Sequence, residues 1–435
     1  MRRASLGTIF LIVVIDLMGF GIVMPNLQLY GEHFGISNYL VLTLLGAVYS
    51  LFQFIFAPLL GQWSDRIGRR PVLLISQAGT LLGFLMLYSA HYFEGPGQQG
   101  IGIAILFGSR ILDGISGGNI STATAYIADV TPPEQRARGM GVIGAAFGLG
   151  FIFGPLIGGT VGGSARMGLS YVPLVAAAFS LAALLLTYFT LPESHHPGER
   201  TEDARRYSIG GLRAALRRPV IAPLMWMSFA YGVAFAGMEQ TLSLLIQYRM
   251  FPEENRPQSI FEHGGSAASR ATGYLFCGIG LIIAVIQGGA IHRLTKRFGG
   301  QNLVIVGAVL VAAGLASIGL PVPGWGGWVG LVVGCGILAV GSSLFNPSLQ
   351  ALISRHAGAQ EQGAILGANA GLASLARVVG PVLAGVLFQY GAGSQPWPGL
   401  PYYVSAAITV AVAGAAITER RRLAPRDITQ SETRP

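Results

Sequence analysis

Long apolar runs recur along the chain of 435 residues and constrain its fold more than any other feature. A helix needs about 20 apolar residues to cross a bilayer core, whereas a barrel strand needs about ten. Only helices and closed barrels satisfy every backbone hydrogen bond in lipid. The run lengths therefore predict twelve transmembrane helices, at residues 6–30, 38–60, 71–91, 101–128, 139–163, 168–191, 220–247, 269–291, 302–320, 326–348, 363–390 and 398–418.

The composition leaves no room for a large soluble domain. Charged residues make up 11% of the chain, against about 25% in soluble proteins. The longest break between apolar runs, residues 192–219, holds six arginines and four acids, as a solvated linker does. We predict an all-α membrane protein with two six-helix bundles at residues 1–191 and 220–418, a cytoplasmic linker at residues 192–219, and a cytoplasmic tail at residues 419–435.

Two short motifs recur in the same order in the two predicted bundles. Gly154-Pro155 of the fifth helix returns as Gly380-Pro381 in the eleventh, and residues 64–68 return as residues 295–299. Transporters of this size are often built from two related bundles around a site near the membrane midplane. The repeats therefore favour a transporter.

The basic residues fall mainly in segments that would lie on one side of a membrane. With the N-terminus inside, 22 of the 28 lysines and arginines lie on the cytoplasmic side, and such a bias sets orientation. The chain is predicted to lie in the cell (inner) membrane with both termini in the cytoplasm. The net charge of +9 follows from this asymmetry, so no nucleic-acid partner is expected.

Residues 61–70 are predicted to form a short, tightly turned loop after the second helix. Glycines permit such a turn, and the single acid stands among three arginines, where charge and helix-end contacts can change as bundles rock. Asp129, at the end of the fourth helix, is a candidate partner for Arg66 or Arg69. The predicted gating residues are Gly61, Asp65, Arg66, Gly68, Arg69, Arg70 and Asp129.

The fifth helix is rich in glycine and contains a proline. Gly150, Gly154 and Gly158 stack along one face, which predicts a close approach by a neighbouring helix. Pro155 removes a backbone hydrogen bond and bends the helix. A leucine at Gly162, just beyond the motif, is expected to have a milder effect than a leucine at Gly154. The predicted motif comprises Gly141, Gly150, Gly154, Pro155, Gly158 and Gly159.

Five ionisable side chains fall within the apolar runs, where each costs free energy unless it is paired. Arg110 and Asp113 can pair with each other, so a structural ion pair and a proton relay are both open. Each bundle's first helix carries one acid that is predicted to bind a proton or a cation, although anchoring of the first helix is the alternative for Asp16. An aromatic face beside Glu239 suits a cationic amphiphile. The candidate residues are Asp16, Arg110, Asp113, Tyr231, Phe235, Glu239 and Arg377.

Motifs for nucleotide and metal chemistry are lacking or misplaced. Residues 139–144 match the dinucleotide pattern but lead into an apolar helix instead of following a strand. The only lysine, Lys296, precedes Arg297, whereas a P-loop lysine precedes Ser or Thr. We expect no enzymatic activity, no ATP site, no metal and no cofactor, with the proton as coupling ion.

These segments resemble those of the major facilitator superfamily, in particular its twelve-helix drug:proton antiporters. Residues 16–25 and 125–129 are most similar to the tetracycline efflux pumps. The chain differs from those pumps at Gly83, where they carry an acid, and at Lys296, which replaces an acid of the second-half loop. The segments that carry the wider family resemblance are residues 61–70, Arg110 with Gly114, and residues 141–159.

The resemblance implies alternating access, with a small amphiphilic drug or toxic compound leaving the cytoplasm as protons enter. It leaves open whether tetracycline is a substrate. Two alternatives also stay open: a proton-coupled symporter or facilitator of a sugar or metabolite, and a non-transporting membrane receptor or scaffold. The expected partners are a small-molecule substrate and the lipid bilayer, and we expect a monomer.

Overall fold

Twelve long apolar helices dominate the described part of the chain. The computed structural model describes residues 6–93, 95, 97–131, 136–194, 216–252, 266–320, 322, 324–357, 362–393 and 397–423. The helices are α1 (Leu6–His33), α2 (Tyr39–Ile67), α3 (Arg69–Phe93), α4 (Gln99–Val130), α5 (Arg136–Gly162), α6 (Leu169–Thr190), α7 (Ile221–Met250), α8 (Ala267–Phe298), α9 (Gly300–Gly319), α10 (Gly324–His356), α11 (Gln362–Gly393) and α12 (Leu400–Leu423). The all-α membrane fold predicted from the sequence is confirmed.

Several helices extend beyond the apolar runs that predicted them. The predicted loop at residues 61–70 is wrong, because α2 continues to Ile67 and Gly61 lies inside it. Only Gly68, at φ 103°, breaks the chain before α3 begins. Gly299, at φ 79°, does the same between α8 and α9. Hydropathy marks where lipid contact ends, whereas a helix ends where its backbone turns.

The helices pack as two related halves. In the first half α1 contacts α5 and α6, and α2 contacts α4; in the second half α7 contacts α11 and α12, and α9 contacts α10 and α12. The halves meet where α5 packs on α8 and α2 packs on α11. Most of the predicted linker and part of the predicted tail, residues 195–215 and 424–435, lie outside the described residues. The predicted domain boundaries therefore stay predictions.

The stacked glycines of α5 face α1, as a close-packing face requires. A Cβ added at Gly154 would lie 2.7 Å from the Cα of Gly21, and one at Gly150 would lie 2.8 Å from the Cβ of Leu17. A Cβ at Gly158 would overlap the carbonyl oxygen of Ile22. The two backbones can approach this closely only because the glycines have no side chains.

The remaining glycines of α5 differ in their surroundings. Gly159 faces α8, where an added Cβ would lie 2.7 Å from the Cα of Gly273, whereas nothing lies within 4 Å of a Cβ at Gly141. Gly162 is crowded as well, because an added Cβ would overlap the Ser269 hydroxyl; the milder effect expected there stays a prediction. The close-packed stretch is therefore longer than the sequence motif.

Contacts between the halves concentrate at one end of the molecule. At this packed end, Ser266 N donates to the carbonyl oxygen of Gly162 at 2.9 Å, and Tyr39 N donates to Gln389 Oε1 at 2.7 Å. The opposite end carries the turns at Gly68 and Gly299. We call it the arginine end, after the arginines beside those two turns. There, Gly144 of α5 has nothing within 4 Å of a Cβ.

Gly154→Leu is expected to lower the stability of the folded protein, because overpacking a tight contact commonly costs about 1 to 3 kcal/mol. Gly144→Leu is the matched control, since it adds the same side chain to the same helix where space is open. Thermal unfolding of each purified variant in detergent measures the difference. Equal unfolding midpoints for the two variants would contradict a close contact between α5 and α1.

Candidate functional site

A cavity of about 260 Å³ lies between the two halves. The first half contributes α1 to α5 to its walls, and the second half contributes α7, α8 and α11. The structure brings six of the seven predicted ionisable and aromatic candidates together here. They are Asp16, Asp113, Tyr231, Phe235, Glu239 and Arg377.

Asp16 lies on the first-half wall, where Asn119 holds one of its carboxylate oxygens. The Asn119 side-chain amide donates to Asp16 Oδ2 at 2.8 Å, while the buried Oδ1 has no hydrogen-bond partner among the described residues. Asn119 begins the second part of α4, after a break at Gly117 and Gly118. Sequence reasoning missed Asn119, although an amide inside an apolar run was a usable signal.

Arg110 and Asp113 form the local ion pair that their spacing predicts. Arg110 Nη1 lies 3.1 Å from Asp113 Oδ2, and both side chains are almost fully buried. The guanidinium also lies over the ring of Phe84, 5.8 Å from its centroid. Thr80 donates a further hydrogen bond to the Asp113 carboxylate. Arg110 therefore lies behind the cavity wall and neutralises the acid that faces it.

The second-half wall carries one acid and one cation. Glu239 of α7 and Arg377 of α11 both line the cavity, yet no ion pair joins them within 4 Å in the described part of the chain. Arg377 is exposed, and its Nη2 lies 3.2 Å from Ser374 Oγ. Solvent therefore hydrates Arg377, which needs no buried counter-ion.

Aromatic rings from three helices form one side of the cavity. Tyr231 stacks with Phe235 at a centroid distance of 5.9 Å. Phe235 also lies 6.5 Å from Phe151 of α5, and Phe151 lies 6.0 Å from Phe276 of α8. The helical spacing of Tyr231, Phe235 and Glu239 predicted their shared face. Phe151 and Phe276 were missed because only the packing of α5 and α8 onto α7 brings them there.

Arg69 is the centre of the predicted gating cluster at the arginine end. Although buried, it lies 2.5 Å from Asp65 Oδ1 through Nη1 and 3.0 Å from Asp129 Oδ2 through Nε. Nη1 also donates to Ser64 Oγ at 2.7 Å. Of the two predicted partners for Asp129, the structure selects Arg69, since Arg66 is exposed.

Glu193 adds an acid to this cluster that sequence reasoning did not include. Its carboxylate accepts from the backbone N–H of Arg69 at 2.8 Å and of Arg70 at 3.1 Å, which satisfies the first turn of α3. The Arg70 side chain donates to the carbonyl oxygen of Tyr188. All of these partners belong to the first half. Glu193 was missed because it lies in the segment interpreted as linker.

Comparisons with known proteins agree with this arrangement. A family model described as Major Facilitator Superfamily matches residues 9–381. The tetracycline resistance protein of class E from Escherichia coli is 31% identical over 405 residues, which cover 92% of this chain and 91% of the relative. Major facilitator superfamily domain-containing protein 10 from Bos taurus is 30% identical over 369 residues, which cover 78% and 71%.

A solved structure extends the comparison to three dimensions. The crystal structure of the human organic anion transporter MFSD10 (TETRAN) is 25% identical and superposes with a TM-score of 0.65, covering 95% of this chain and 99% of that one. The family resemblance predicted from the sequence is thereby confirmed. Because the family model spans most of the chain and the relatives align along nearly all of it, the chain belongs to the Major Facilitator Superfamily.

Proposed function

We propose that this protein is a proton-coupled antiporter that exports small amphiphilic compounds by alternating access. One observation carries the proposal: Asp16 and Glu239 line opposite walls of one cavity between the two halves, and neither forms an ion pair in the described part of the chain. An acid in this position can bind either a proton or a cationic substrate group. Competition between the two would couple their opposite movements.

The proton gradient supplies enough free energy for this exchange. A membrane potential of 100 mV contributes about 2.3 kcal/mol for each net elementary charge moved inward, so it drives the exchange when more proton charge enters than substrate charge leaves. The aromatic wall of Tyr231, Phe235 and Phe276 offers apolar surface to the substrate, while the carboxylates compete for its charge. A non-transporting receptor would not need unpaired acids facing each other across the cavity, and the largely apolar, aromatic lining suits an amphiphile better than a sugar.

Two substrate classes have specific support. The tetracycline resistance relatives favour tetracycline or a similar amphiphile. The relative titled an organic anion transporter, together with Arg377 on the cavity wall, favours an anionic compound as the second candidate. Uptake by proteoliposomes of tetracycline, tetraphenylphosphonium and p-aminohippurate, each under an imposed proton gradient, distinguishes these classes.

We also propose that the arginine end faces the cytoplasm of a cell that carries the protein in its inner membrane. The excess of arginine at this end supports that orientation. Labelling of single cysteines at two exposed positions, Arg66 and Met167, tests it in intact cells. A membrane-impermeant maleimide should react at position 167 and leave position 66 unlabelled until the cells are opened.

Glu239→Gln is expected to abolish substrate-induced proton movement, because the amide cannot exchange a proton. Proteoliposomes containing a pH-sensitive dye measure this movement. Asp16→Asn is the parallel test on the opposite wall. If Asp16 serves only to hold α1 through Asn119, this variant will keep wild-type proton movement.

Two controls separate coupling from folding in the Glu239 experiment. Glu239→Asp keeps a carboxylate and should keep part of the proton movement. Glu239→Gln should still be expressed in the membrane and unfold at the wild-type midpoint in detergent, which shows that its loss of proton movement is not a loss of folding. Full proton movement in Glu239→Gln would exclude Glu239 from coupling.

Asp65→Asn is expected to lower the transport rate while substrate binding at equilibrium changes little. A hydrogen bond to a charged group is worth about 1.5 to 3 kcal/mol, and about 1.4 kcal/mol changes a conformational ratio tenfold. Asparagine keeps an acceptor oxygen but removes the negative charge beside the buried Arg69, so we expect a rate loss of about tenfold. Arg66→Gln is the control, since Arg66 is exposed. A loss of substrate affinity without a change in rate would contradict the gating role.

A further inference from the structure

Polar contacts, rather than apolar ones alone, close the packed end of the molecule. Gln28 of α1 donates through its side chain to Gln240 of α7. Ser269 of α8 donates through Oγ to Asn26 Oδ1 at 2.5 Å. Both contacts join the first half to the second. Opening this end would break both contacts and let water replace them.

A continuous polar strip runs from the cavity toward this end, and we name it the polar seam. On α7 it consists of side chains at i, i+3 and i+7, and on α1 of two side chains one turn apart. Gln240, at its inner end, also lines the cavity. The seam comprises Gln28, Glu32, Gln240, Ser243 and Gln247.

The seam contains more polar atoms than its protein contacts satisfy. Gln28, Gln240, Ser243 and Gln247 are each at most 3% exposed. Within the described residues, Gln28 Oε1, Ser243 Oγ and Glu32 Oε2 are buried without a hydrogen-bond partner. Buried polar atoms of this kind are usually satisfied by ordered water. The seam therefore suits hydration and proton exchange better than a dry apolar seal does.

Glu32 is the only acid of the seam, and the described residues around it hold no compensating lysine or arginine. Its carboxylate accepts a hydrogen bond from the side chain of Gln247, and no lysine or arginine of the described chain pairs with it. The titratable groups near it are His33 on its own turn, Tyr39 of α2 and Tyr248 of α7.

Arg249 is the nearest arginine along α7, but it is engaged elsewhere. Its guanidinium donates to the carbonyl oxygens of Ile318, Gly319 and Leu320. Closing the packed end over an ionised Glu32 would therefore bury a charge without a partner, which is costly. Closing over a protonated Glu32 avoids this cost.

We propose that Glu32 is a second proton-binding site, which takes up a proton when the packed end is open to water and must hold it for that end to close. The site rests on the proposed function in one respect, because it gives the proton gradient a direct effect on which end is open. It differs from the cavity acids in acting on closure rather than on substrate.

Distance measurements across the packed end test this site without transport. Spin labels at Met167 and Leu320, both about half exposed and on opposite halves, report opening in nanodiscs when Cys277 and Cys335 are replaced. In the wild type, alkaline pH should shift the population toward longer distances. A single linked proton changes the open-to-closed ratio by up to about tenfold per pH unit.

Two variants should remove this shift by different means. Glu32→Gln has no charge to bury and should stay closed at alkaline pH. Gln247→Lys supplies a cation beside Glu32 and should also stay closed, so the test survives if one variant fails to fold. His33→Asn should keep the wild-type shift.

The outcomes separate this site from the proposed function. A pH-independent wild type, or a wild-type shift in Glu32→Gln, would overturn the site. Loss of the shift in His33→Asn alone would assign it to the histidine and overturn it as well. Absence of substrate-induced proton movement in the wild type would overturn the antiporter proposal, which the distance measurements do not test.

Discussion

Every charge that a membrane-spanning helix carries must be neutralised by the protein or hydrated. This constraint sorts the charged residues of the chain by role. Arg110 is neutralised by Asp113 and covered by Phe84, so it stabilises the first half. Arg69 is surrounded by acids from neighbouring segments. Asp16 and Glu239 face a cavity and form no ion pair among the described residues, which leaves them able to change their protonation or bind a ligand.

The two halves have the same glycine turns and helix prolines but differ in the charged residues around them. Gly68 and Gly299 both turn the chain with positive φ, and Pro155 and Pro381 both lie inside long continuous helices. In the first half the turn supports a buried arginine held by acids, whereas Lys296 of the second half is exposed. The repeat therefore preserves the geometry of the turn, and the charge cluster is a property of the first half.

The sequence predicts the helices, their number and much of the cavity, because hydropathy and helical spacing are local properties. Tyr231, Phe235 and Glu239 share a face for that reason. It does not predict where α2 ends, because the helix continues past its apolar run to Ile67. It also misses Asn119, Phe151 and the contact at Gly162, since each depends on which helices become neighbours. Long-range packing, rather than any local pattern, decides those positions.

Packing around α5 holds the first half together and also joins it to the second half. One face of α5 presses Gly150 and Gly154 against α1, and another face places Gly159 against Gly273 of α8. Glycines at both contacts allow backbones to approach closely. Across the α5–α8 interface, Gly159 and Gly273 carry no side chains, so none would have to leave a pocket in the rotation that the proposed alternating access requires. The same residue type thus holds α1 within its half and brings α5 of the first half close to α8 of the second, while the polar contacts at the packed end can be replaced by water.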